Sequence, residues 1–140
     1  MSDLSVFFAQ NNLADITEEF IVSERFKDKA GQPVPWKIRS MTEAENEAIR
    51  KSATKRIKVK NSGYTTEVDS EEYIARLAVS SVVFPNLKDA ALQESYQVKG
   101  ADALLRKMLL PGEYAALIQK VQELNGFDKD MNELIEEVKN

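Results

Sequence analysis

Apolar side chains fall at Phe20 and Val22 and again at Val34, Trp36 and Ile38, two residues apart within each set, with the turn-forming run DKAGQP between the sets. Period-two spacing lays one side of an extended chain against a core, so it predicts a β-hairpin over about residues 19–41. Pro33 and Pro35 cannot donate to a ladder, which puts the start of the second strand at a sheet edge or a bulge. A lone hairpin is marginal in water and needs a layer of helices beneath it.

From residue 42 the spacing becomes helical. Thr42 with Glu45 three residues on is a capping box. In the stretch that follows, Glu43, Glu45 and Glu47 precede Arg50, Lys51, Lys55, Arg56, Lys58 and Lys60, an order that complements a helix dipole. One long helix is expected, ended by Asn61-Ser62-Gly63. Tyr64, Thr66 and Val68 alternate as a short extended piece or an ordered loop. Asp69 or Ser70 then caps a helix whose face is Tyr73, Ile74, Leu77, Ala78, Ser81 and Val82, and Pro85 ends it, since the residue before proline is driven out of the helical region. Asn86 is expected to cap the next helix, with Val82, Val83, Phe84, Leu87 and Leu92 packed inside the corner. Three more helices follow, around Leu104, Leu105 and Met108; around Tyr114, Leu117, Ile118, Val121 and Leu124; and around Met131, Leu134, Ile135 and Val138. Asn125-Gly126 reads as a helix stop. Leu4, Phe7 and Phe8, behind Ser2 and Asp3, suggest a brief N-terminal helix. The pattern predicts an α+β, predominantly α-helical fold: one domain over residues 1–140, with the hairpin on a bundle of about five to six helices over about residues 42–140.

Composition narrows the chemistry. The chain has neither cysteine nor histidine, which removes disulfides, thiol nucleophiles, the usual general base and the commonest transition-metal ligands. Neighbouring acids such as Glu71-Glu72 diverge by roughly 100° on a helix and do not converge on a cation. Ser52 beside Lys51 or Lys55, and Ser80-Ser81, lack the sharp turn of an activated nucleophile and read as exposed or capping serines. Glycines are scattered without a phosphate-cradling motif. No catalytic, cofactor or metal residue is expected. The N-terminus has no basic signal region and no apolar run approaches a membrane span, so a cytoplasmic protein without membrane contact is expected.

A net charge of −4 opposes nonspecific attraction to nucleic acid. The cations of residues 50–60 read as a solvated helix face, with contact to an acidic protein as the weaker reading. Trp36 reads as core, with a binding hot spot as the weaker reading. The crowding of Leu117, Val121, Leu124, Leu134, Ile135 and Val138 near the C-terminus reads first as core packing, with a partner-binding edge made of these residues as the alternative.

Arg25-Phe26 with Gly31 and Trp36, Pro85-Asn86-Leu87 with Leu92-Gln93, and Leu109-Leu110-Pro111-Gly112-Glu113-Tyr114 occur in an order and spacing that resemble the XkdN-like tail assembly chaperones of tailed phages and defective prophages. The resemblance implies a non-enzymatic protein, absent from the finished particle, that keeps the tape measure protein soluble, with the tail tube protein as a second candidate partner. A minor tail or connector protein retained in the particle is the alternative.

Overall fold

In the computed structural model, which describes residues 3–12 and 16–127, the N-terminal hairpin is the core of a three-stranded sheet. Strands β1 (Thr17–Phe20) and β2 (Trp36–Arg39) pair antiparallel, Thr17 opposite Arg39 and Phe20 opposite Trp36. Residues 21–35 form a loop closed on itself: Val34 N–H donates to Phe26 O at 2.8 Å, Lys27 bridges Pro33, and the Asp28 carboxylate receives the N–H groups of Ala30 and Gln32 at 2.9 and 3.0 Å. Gly31 turns the tip with φ +81°, a conformation open to glycine. Both prolines stand before the β2 ladder. Of the two expected settings for the start of β2, an edge or a bulge, the edge is ruled out because a third strand, β5 (Val82–Phe84), pairs with its far side, and an irregularity is found. The register of that pair shifts between Lys37 and Ile38 and leaves Val83 without a partner, as in a bulge.

Helix α1 (Glu43–Ser52) starts on the expected capping box, with Glu45 N–H donating to Thr42 Oγ1 at 3.2 Å and Thr42 N–H to Glu45 Oε1 at 3.4 Å. It ends at Ser52, not Lys60. Residues beyond it form a second hairpin, β3 (Thr54–Val59) against β4 (Gly63–Val68). The long helix is overturned by β-branched residues at Thr54, Ile57, Val59, Thr65, Thr66 and Val68, which lose rotamer freedom in a helix and pack well across strands. Asn61 and Gly63, at φ 68° and 80°, reverse this hairpin instead of ending a helix.

Helix α2 (Ser70–Ser81) is capped by Asp69, whose carboxylate receives Glu72 N–H at 3.1 Å, and buries Tyr73, Ala75, Leu77, Ala78 and Ser81. It stops short of Phe84 because Val82 and Val83 extend along the open side of β2. Asp89, rather than Asn86, caps α3 (Ala90–Ser95), accepting Leu92 N–H at 2.8 Å; Asn86 holds the preceding turn through Lys88 N–H. In that corner Leu87 is buried and Val82 and Leu92 partly so, whereas Val83 and Phe84 face outward. Helices α4 (Ala101–Met108) and α5 (Pro111–Leu124) complete the described fold.

The core gathers Trp36 and Ile38 of β2, Leu77 and Ala78 of α2, Leu104, Leu105 and Met108 of α4, and Leu117 and Val121 of α5. Asn125 locks its rim: its Oδ1 accepts Met41 N–H at 2.7 Å and its Nδ2 donates to Val121 O at 2.8 Å. Gly126 alone takes the positive φ expected of the Asn-Gly stop. The brief N-terminal helix is of 3-10 type, Leu4–Phe7 capped by Asp3 and then Ala9–Asn11, with no buried residue. The helix expected around Leu134 lies outside the described residues. With five α-helices among the described residues and small antiparallel sheets, the fold is α+β as the spacing predicts.

Candidate functional site

The 26–34 loop, β2, the end of β5, α3 and the end of α4 leave an apolar groove of about 430 Å³. Phe26, Val34, Trp36, Phe84, Pro85, Leu92 and Met108 line it, with Arg25 and Lys27 at the rim. Each side chain is placed by local structure already described. Closure of the 26–34 loop brings Phe26 to a ring-centroid distance of 6.3 Å from Trp36, tilted by 36°. Pro85 ends β5, so Phe84 stands at the lip and is 52% exposed. Trp36 is 2% exposed and forms the floor. The volume suits one or two large side chains rather than a whole helix.

An ion pair fixes one wall. The Arg25 guanidinium lies 4.9 Å from the Phe26 ring centre, donates to Met108 O at 2.9 Å and grips the Glu113 carboxylate through Nε (3.1 Å) and a second nitrogen. Glu113 also receives Leu110 N–H at 2.8 Å at the start of α5. The Arg25 hydrogen bonds, helped by Ser23 and Leu110, hold the Glu113 pKa down from 4.5 to about 2. The three stretches that carry the family resemblance converge here: Arg25, Phe26 and Trp36 from the first, Pro85 and Leu92 from the second, Glu113 from the third.

The candidate edge read from sequence does not converge. Leu117 and Val121 are 0% and 1% exposed and fill the core, so neither is available as a contact surface. Leu124 is half-buried against that core. Leu134, Ile135 and Val138 lie outside the described residues. Trp36 is core, as expected. The groove was missed because its parts come from three separated stretches and Phe84 reads as a corner-packing residue; the adjacency of Arg25 and Phe26 in the resemblance was the available signal.

The weighed nucleophiles form no catalytic arrangement. Ser52 Oγ donates to Ile49 O at 2.6 Å within its own helix, Lys51 pairs with Glu47 at 3.2 Å, and Lys55 pairs with Asp69 and Glu72. Ser81, expected at the surface or a cap, is fully buried beside Asn125. Among the described residues no group of three acids assembles as a metal site, and no helix is long and apolar enough to cross a membrane.

The sequence model of the family described as phage XkdN-like tail assembly chaperone protein matches residues 4–139. Two proteins of Bacillus subtilis strain 168 are similar along nearly their full length. YqbN is 35% identical over 139 residues, covering 99% of this chain and 93% of that protein. XkdN of the phage-like element PBSX is 31% identical over 139 residues, covering 99% and 94%. The crystal structure of YqbN aligns with a TM-score of 0.77 at 30% identity, over 91% of this chain and 99% of that one. With the family model matched over residues 4–139 and relatives above 30% identity over nearly the whole chain, the chain belongs to the phage XkdN-like tail assembly chaperone family.

Proposed function

We propose that this protein binds the phage tape measure protein without covalent chemistry and keeps it soluble in the host cytoplasm until the tail tube assembles around it, then departs from the particle. The groove is the surface we assign to that contact. The observation that carries the reading is the outward-facing Phe84 over the Phe26–Trp36 pair, an apolar patch open to solvent in a member of a chaperone family. A long helical client exposes large side chains at i, i+4 spacing; one such anchor entering the groove beside Lys27 would be withdrawn from water and from self-association. Handover to the tail tube protein requires that grip to be reversible, which a small, shallow groove favours over a deep one.

Co-expression with the tape measure gene tests this. The wild-type chain is expected to move the client into the soluble fraction and to co-purify with it. Phe84→Glu, at an exposed position that leaves the core intact by circular dichroism, is expected to lose at least 80% of the captured client. Mass spectrometry of purified particles is expected to lack the chain. Equal client solubility without it, or its stoichiometric presence in particles, would overturn the proposal.

A further inference from the structure

The β3–β4 arm is a locally positive element in an otherwise acidic molecule. It holds Lys55, Arg56, Lys58 and Lys60 against a single acid, Glu67, in a chain of net charge −4. It stands away from the core, with every residue from Lys55 to Glu67 exposed. Its base is tied down by Asp69 N–H to Ala53 O at 2.9 Å and by Lys55 to Asp69 and Glu72. Among the described residues Arg56, Lys58 and Lys60 have no ion pair, and neither outer edge of this two-stranded sheet is paired.

The two faces differ in chemistry. Cross-strand register puts Arg56 and Lys58 on one face with Tyr64 and Thr66, and Arg56 stacks at 4.0 Å from the Tyr64 ring centre. The opposite face carries Ile57 and Val59, 39% and 38% exposed. Along β3 the order is therefore cation, apolar, cation, apolar.

We propose that the open edge of β3 takes an extended acidic protein segment as an added strand, one whose acidic and apolar residues alternate. Added beside β3, such a strand sets its carboxylates against Arg56 and Lys58 on one face and its apolar side chains against Ile57 and Val59 on the other, while its backbone satisfies unpaired amide groups. A second copy of this chain does not fit that edge, because pairing β3 with β3 sets like charges side by side. Nucleic acid fits poorly too: three available cations are few, and the one aromatic ring is already covered by Arg56, leaving no stacking platform. The inference concerns a surface separate from the groove and stands whether or not the groove holds the tape measure protein.

The test uses fluorescence anisotropy of the full chain with a labelled peptide, Glu-Val-Glu-Ile-Glu-Val-Glu, in low salt. Saturable binding is expected, weakened at least tenfold by R56E/K58E with the helical signal unchanged, and unaffected by Phe84→Glu. A block peptide of the same composition and the same peptide N-methylated at alternate amides are both expected to bind at least tenfold more weakly. Absence of binding up to millimolar peptide, equal binding of the block or N-methylated peptide, tighter binding of a single-stranded oligonucleotide, or indifference to R56E/K58E would each overturn the proposal.

Discussion

Glu113 does two jobs with one carboxylate: it accepts Leu110 N–H at the first turn of α5 and receives the Arg25 guanidinium from the N-terminal loop. Because both partners favour the ionised form, its folded pKa sits near 2, below the ordinary 4.5. A lowered folded pKa contributes stability that is complete above about pH 4.5 and disappears as pH falls toward 2. Glu113→Gln is therefore expected to be less stable than wild type at pH 7, with the gap closing between pH 4.5 and 2; urea midpoints across that range check it, and a constant gap would refute it. The acidic residue of this clamp was legible only as part of a family resemblance. Its partner lies 88 positions away in sequence, and local spacing carries no information about a pair so separated.

At the scale of elements, signals that act within one turn were legible and those that depend on a neighbour were not. The capping box at Thr42 and the cap at Asp69 form as the residue types dictate. The same logic placed a cap at Asn86, but the chain spends three more residues in a turn before Asp89 takes that role. Asp89→Ala is expected to cost about 0.5–2 kcal/mol in denaturant unfolding, while Asn86→Ala costs less. Residues 54–59 read as helix because the run of glutamates before lysines matches a helix dipole, a cue that does not report the strand pairing they make with residues 63–68. Strand β5 was illegible for a different reason: Val82–Phe84 is extended because β2 offers an unpaired side there, a fact of tertiary structure.

Across the whole molecule, α5 is the element that closes the core, with Leu117 and Val121 facing α2 and β2. Leu117→Ala is expected to cost roughly 2–5 kcal/mol, as deletions of buried leucine do, measured as a shift of the urea midpoint. A client-contact role would instead leave stability nearly untouched. The helical faces of α4 and α5 were readable from spacing, yet spacing alone does not separate a face that covers a core from one that covers a partner. The contact between β2 and β5 also dictates a timetable. With synthesis at roughly 5–20 residues per second, β2 leaves the ribosome seconds before the segment that will flank it, and Arg25 waits longer still for Glu113. During that interval the newborn hairpin presents a bare backbone margin, so this helper of another chain's assembly is itself, briefly, a polypeptide in need of cover.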